Sequence, residues 1–287
     1  MEYIFITVNY NNANETIKYI NSINALRYDS EKIRIIVVDN CSSSGDYNKL
    51  EDFISKYPSS NIKLKLVRSN KNKGYFSGLN IGLEMVKNIT RKTCIIGNND
   101  VLFEENFIHN YEKIEIYPDV IVVCPDIIDK ESKHENPQLE NRASFILKAA
   151  FKIYFTHYLL SLLVFNISKT MKKIGLRKPN TSFEVGKYIY QGSGACYILP
   201  SKFFEYYQSL DDRVFLWGEE RLLANQVLSA GCKKWYAPSL KVYHNENMST
   251  SKVPSREAWV INSAVTQAVI QNVGMSSHKQ TDVRSNI

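Results

Sequence analysis

The chain of 287 residues is 44% hydrophobic and 23% charged, with 12 glycines and 8 prolines. These are globular proportions, which exclude a disulfide-stapled mini-protein, a collagenous or disordered chain and a multi-span membrane protein. The net charge of +7 is local: residues 142–187 carry nine bases against one acid, Glu184, giving +8, and the remainder sums to −1. A confined basic segment argues for a local anionic partner and against a protein that coats nucleic acid.

Residues 3–8 form an apolar, β-branched and aromatic run that fits a strand buried on both faces. Over 15–26, Ile17, Ile20, Ile23 and Leu26 recur at helical spacing, with Asn14 as the expected N-cap. Strand 33–39, helix 46–57, strand 62–67, helix 77–86 and strand 93–97 follow, and a further strand covers 120–124. Alternating strands and helices predict a mainly parallel, doubly wound α/β sheet. Ligands of such sheets collect at the carboxyl ends of the strands.

Regularity is lost from 129 to 142, which reads as an insertion, and 143–173 mixes apolar and basic residues. The expected division is a ligand-binding first half at 1–128, a basic and partly helical insertion at 129–187, a second half at 188–250 that carries the remaining chemistry, and a C-terminal helix and mobile tail at 251–287. Trp259, Ile261, Val265, Val269 and Ile270 make the helical pattern within 257–273. The cysteines Cys41, Cys94, Cys124, Cys196 and Cys232 are scattered and mostly set in apolar runs, so buried, reduced thiols are expected. With no basic n-region at the start of the sequence given, the expected location is cytoplasmic.

The chemistry-bearing groups lie at strand ends. Asp39 is placed to accept hydrogen bonds from a base or ribose, or to cap a turn. Gly74, Gly78 and Gly82 recur every four residues, with Asn80 off that face; glycines at that cost in a helix mark a close approach, by a ligand or by the sheet. Neither GxGxxG nor GxxxxGK[ST] is present. Asp100 follows Asn98 and Asn99 at a strand end, where a carboxylate holds a divalent cation or shapes a turn. His244 is either a second metal ligand from the far side or a structural histidine. Glu219 and Glu220, after Phe215, Leu216, Trp217 and Gly218, fit a general base beside a sugar hydroxyl or simple charge complementarity at a helix start.

Seven segments in order, TVNYNN (7–12), VVDNCSSS (37–44), NKGYFSGLNIG (72–82), NND (98–100), GACYILP (194–200), FLWGEE (215–220) and YH (243–244), resemble family 2 glycosyltransferases of the GT-A fold. The likeness is greatest to the rhamnosyltransferase-like enzymes of bacterial surface polysaccharides such as capsule and O-antigen. The resemblance implies a UDP- or dTDP-sugar donor, an inverting displacement, Mn²⁺ or Mg²⁺, and a glycan or lipid-linked oligosaccharide acceptor at the inner face of the cell membrane. It implies that Asn9 and Asp39 contact base and ribose, with Asn72, Gly74, Asn80 and Asn99 completing the donor pocket. Asp100 would bind metal with His244 completing the coordination, although Asn98 stands where the family's Asp-x-Asp motif has its first acid. Glu220 would be the base, Glu219 would orient it or bind acceptor, and Trp217 and Gly218 would line the acceptor side.

The uncharged run within 143–178 is shorter than a spanning helix needs. It fits an amphipathic cover for the acceptor half, or a segment lying on an anionic membrane surface. Two other functions compete: a sugar-phosphate nucleotidyltransferase, which would need a Gly-rich basic signature near the N-terminus, and a non-catalytic peripheral membrane protein, which would leave the paired acids without a purpose.

Overall fold

A computed structural model describes residues 1–29, 32–57, 62–141, 182–216 and 218–245. The expected insertion helix, Trp217, the membrane-facing reading of 143–178 and the C-terminal helix at 257–273 lie outside those residues.

The first half alternates as the sequence predicts: β1 (Glu2–Asn9), α1 (Ala13–Asn24), β2 (Ile33–Asp39), α2 (Ser44–Ser55), β3 (Lys63–Arg68), α3 (Tyr75–Glu84) and β4 (Lys92–Asn98). There follow β5 (Val101–Phe103), α4 (Phe107–Glu112), β6 (Val120–Asp129), β7 (Lys187–Ile189), β8 (Cys196–Leu199), α5 (Phe203–Tyr206), α6 (Glu219–Ser229) and β9 (Lys233–His244). The strands join in the order β3-β2-β1-β4-β8-β6-β9-β5, with β7 on β9. β3, β2, β1 and β4 are mutually parallel, whereas β8 runs antiparallel to both of its neighbours and β9 parallel to β6. The sheet is therefore parallel in its first half and mixed in its second.

Alternate residues of β1 feed two cores. Tyr3 and Phe5 pack with α1, α2 and α4, while Ile4, Ile6 and Val8 pack with α3, α5 and α6. This is the doubly wound arrangement, two helical layers on one sheet.

Helices α1, α2 and α3 each begin and end two residues before the limits predicted from apolar spacing. The added residues are polar or small in α1 and α2, Ala13, Asn14, Ser44 and Gly45, and are the aromatic pair Tyr75 and Phe76 in α3. At the other end, Leu26, Tyr57 and Val86 donate their amides to Ile23, Ile54 and Leu83, three residues back. The last apolar residue of each helix thus belongs to a tighter closing turn. Asn14 is not the cap of α1; Asn12 holds that position, and Asp46 Oδ1 accepts the Ala13 amide at 2.9 Å.

Two further expectations change. β6 runs to Asp129, because it pairs with β9 as far as His244, and the stretch after it is tied by bridges at His134 and Leu139. Cys94, Cys124, Cys196 and Cys232 are buried and free, but Cys41 is exposed, carried outward by a left-handed backbone at φ 67°.

Candidate active site

β1, β2 and β4 end together, so Asn9, Asp39 and Asn98 arrive at one sheet edge. Asp39 is buried, with Oδ1 accepting from Asn9 Nδ2 at 3.0 Å and Oδ2 from the Ser42 amide at 3.1 Å. Arg68, at the end of β3, brings Nε to 3.8 Å from Oδ2 while its guanidinium lies 4.0 Å over the Tyr47 ring. The buried carboxylate and the stacked, partly exposed guanidinium thus lie together at the carboxyl end of the parallel strands.

Asn9 was expected to face a nucleotide. It is buried, and its amide donates to Asp39, Ser42 and Asp46 while its carbonyl accepts from Thr16. Its place is beneath Asp39, as a brace. Asn99 likewise turns its amide to Thr16 Oγ1 at 2.8 Å and to the Asn12 carbonyl. Asn72 Oδ1 accepts from Asn40 Nδ2 and from the Gly74 amide, which fixes the loop before α3. Asn80 exchanges two hydrogen bonds with the backbone of Leu210, so it fastens α3 to the second half. In each case the side-chain amide is engaged by nearby backbone or side-chain groups. Side-chain identity alone does not reveal that.

The close approach marked by the glycines is made by protein. A Cβ on Gly78 would stand 2.8 Å from Val8 Cγ2, and one on Gly82 would stand 2.4 Å from Ile6 Cγ2, so α3 lies directly on the sheet. Gly74, at φ 89°, takes a conformation that L side chains rarely adopt, and its Cβ would meet the Phe215 carbonyl at 2.2 Å.

The metal-type end forms where β4 leads into β5. Val101 pairs with His244, which sets the histidine beside Asp100. His244 Nε2 lies 3.2 Å from Asp100 Oδ1 and 3.4 Å from Asn98 Nδ2. On its other nitrogen, Nδ1 is 2.5 Å from Glu135 Oε1, and Glu135 Oε2 accepts from Ser193 Oγ at 2.6 Å. Burial alone would lower the His244 pKa, but its two carboxylate partners outweigh it and raise the imidazole to about 10. Glu135 was missed in the sequence, where it falls in the irregular stretch after 129.

Asp100 Oδ1 is buried and makes no well-aligned hydrogen bond. Once the proton held between them is displaced, the Asp100 carboxylate and His244 Nε2 make a donor set that suits a divalent cation. Among the described residues no group of three His, Cys, Asp or Glu side chains gathers as a cage. The protein's share would be Asp100 and His244, with phosphate oxygens and water left to complete a coordination shell.

The paired acids open α6. Gly218, left-handed at φ 96°, turns the chain into the helix, and its carbonyl accepts from the Arg221 and Leu222 amides. Glu219 is 4% exposed, and its Oε1 has no hydrogen-bond partner. Burial pushes its carboxyl up to about 7, against a backbone hydrogen bond that lowers it and with the Glu220 charge adding to the rise. Desolvation, argued for the pair, therefore falls on Glu219. Glu220 is half-buried and lies against Gly194, whose Cβ would stand 3.0 Å from Glu220 Oε1.

One segment joins the two ends of the site. Ala195 accepts the amide of Asn98, and its neighbour Gly194 faces Glu220 and accepts from Tyr75 Oη at 3.1 Å. Burial holds the Tyr75 hydroxyl neutral, with Glu219 and Asp100 both close enough to reinforce this. Residues 119 apart in sequence are thus joined directly.

Residues 4–188, more than half of the chain, match the model of the family described as glycosyl transferase family 2. No curated protein matches the chain. Among solved structures, GalNAc-T7 with UDP, GalNAc and Mn²⁺ superposes with a TM-score of 0.59 at 14% identity, over 93% of this chain and 48% of that one. TarS residues 1–349 of S. aureus in complex with UDP-GlcNAc gives 0.58 at 11% identity, over 96% and 68%. The mannosyltransferase PcManGT from Pyrobaculum calidifontis, in complex with GDP-Man and Mn²⁺, gives 0.56 at 13% identity, over 94% and 74%. The chain spans about half the length of the first of these, and at such identities the likeness is one of GT-A fold.

Proposed function

The chain belongs to glycosyl transferase family 2, and from that premise we propose that it moves a sugar from a nucleotide-diphosphate donor to a hydroxyl of a glycan, with inversion at the anomeric carbon. The observation that carries this reading is the convergence of Asp39, Asp100 with His244, and Glu219 with Glu220 along one sheet edge.

In this reading Asp39, braced by Asn9, receives the nucleoside. Asp100 and His244 hold a divalent cation, which supplies positive charge against the departing diphosphate. Glu220, reachable beside Gly194, accepts the proton of the attacking hydroxyl. Glu219, buried and with a free oxygen, receives a sugar hydroxyl and orients it. Gly218 starts the helix that presents both acids, and by the family resemblance Gly218 and Trp217 are assigned to acceptor binding.

The finer proposal is a UDP- or dTDP-hexose of the rhamnosyl type, donated to a lipid-linked surface glycan at the inner membrane face. It is supported by the seven ordered motifs and by the local charge of +8 in 142–187. No helix among the described residues is long and apolar enough to cross a membrane.

The test is thermal stabilisation by UDP, dTDP, GDP and CMP, each with and without Mn²⁺, because a ligand of the folded state raises the melting temperature by mass action. A Mn²⁺-dependent shift with a uridine or thymidine diphosphate is the expected result. No shift with any of the four overturns the donor site.

A further inference from the structure

Residues 192–195, which lead into β8, lie outside any helix or strand and are held by groups from elsewhere. The Gly192 carbonyl accepts from Tyr197 Oη at 2.7 Å, and the Ala195 carbonyl accepts the Asn98 amide at 2.9 Å. Ser193 is buried and gripped twice by consecutive residues. Its amide donates to Asn136 Oδ1 at 2.7 Å, and its hydroxyl donates to Glu135 Oε2 at 2.6 Å. Asn136, also buried, donates in turn to the Pro125 carbonyl of β6 at 2.7 Å. A Cβ on Gly192 would stand 2.8 Å from Cys124 Sγ, so this segment lies directly against β6.

A serine hydroxyl has one proton to give and lone pairs with which to accept. Here the proton goes to Glu135, and the Ala195 amide donates to the same oxygen at 3.3 Å. Both bonds lead to His244. Through Glu135 the path is direct, since Oε1 lies 2.5 Å from His244 Nδ1. Through Ala195 it passes to the Asn98 amide, and the Asn98 side chain stands 3.4 Å from His244 Nε2. A carboxylate held at both oxygens by different partners cannot turn without breaking one bond. A fixed hydroxyl on Oε2 therefore fixes the direction in which Oε1 meets the imidazole, through hydrogen bonds strengthened by the carboxylate's charge.

We propose that Ser193 is a positioning residue for His244: its hydroxyl, anchored to β6 through Asn136, sets the Glu135 carboxylate and thereby the orientation of the imidazole beside Asp100. The consequence for metal affinity rests on the reading of Asp100 and His244 as cation ligands; the consequence for the imidazole does not.

The test is proton NMR of the full chain without metal, reading the proton between His244 Nδ1 and Glu135, with its signal assigned by loss in His244→Gln. A proton in a short bond to a carboxylate resonates well downfield of ordinary imidazole protons. In Ser193→Ala, and in Ser193→Cys, which keeps the volume but donates weakly, the signal is expected to move upfield or vanish into exchange with water. With saturating UDP, Mn²⁺ affinity is expected to fall about fivefold in both variants, and to fall no further when either is added to Glu135→Gln. A signal that stays in place in a folded variant overturns the inference, as do losses of Mn²⁺ affinity that add in full to that of Glu135→Gln. Failure of both variants to fold also overturns it, since the hydroxyl would then brace the fold alone. Absence of Mn²⁺ binding by the unaltered protein, with the signal responding as expected, sinks the cation reading and leaves the positioning role standing.

Discussion

Glu135 holds His244 from the side opposite Asp100: its Oε1 lies 2.5 Å from Nδ1, while Nε2 points at Asp100 Oδ1. A carboxylate on the far nitrogen of a ligating histidine fixes the tautomer and ring orientation and raises the ligand's basicity. Glu135→Gln keeps a hydrogen bond but loses the charge. Mn²⁺ affinity, measured by calorimetry on the protein alone, should fall about tenfold or more. Unchanged affinity would mean that Glu135 only packs the turn around Ser193.

Glu219 makes stability depend on pH in a defined direction. Its folded value of about 7 stands above the ordinary 4.5, so the folded protein binds the proton more tightly than the unfolded chain does. The resulting stabilisation is full below about pH 4.5 and is lost as pH rises through 7. By pH 8 the loss amounts to about 3 kcal/mol. Glu219→Gln removes this dependence, so its melting temperature relative to the unaltered protein should climb between pH 5 and pH 8. A difference that stays constant across that range would contradict the burial argument.

The glycines of α2 and α3 should respond oppositely to alanine. At Gly82 the new methyl would press on Ile6, a fully buried strand residue. A net loss of about 1–2 kcal/mol is expected, after allowing for the better helix propensity of alanine. At Gly45, within α2, nothing lies within 4 Å, and Gly45→Ala should gain about 0.5 kcal/mol. Denaturant melts of the two variants decide it.

Glu220→Gln should reduce sugar transfer at least about a hundredfold, the contribution of a positioned general base. The nucleotide-induced thermal shift should persist, because the groups that hold Asp39, which are Asn9, the Ser42 amide and Arg68, come from β1, the loop after β2 and β3, and not from α6. Loss of the shift together with activity would point to a collapsed site.

The sequence was most readable where chemistry and local geometry coincide. Asp100 at a strand end, His244 after an apolar run and the acids opening α6 all fall where their neighbours predicted. The amides of Asn9, Asn72, Asn80 and Asn99 were legible as site-forming but not as braces, because their partners come from other elements. Glu135 was hidden because its position depends on β6 continuing beside β9 as far as His244.

Helix α3 is laced to the strand-free stretch that leads into α6. Tyr75 N bonds the Phe215 carbonyl, Ser77 Oγ bonds Asp212, and Asn80 clasps Leu210 in both directions. These contacts fall two and three residues apart along the helix, and the same segment is tied to α6 where the Asp211 amide donates to Gln226 and Val214 packs on Leu222, so 210–215 cannot open without leaving both helices. In amide exchange the Leu210 and Tyr75 protons should therefore be released together, as one cooperative unit. The helix laid on the sheet by its glycines and the approach to the paired acids of α6 would then melt as a single piece.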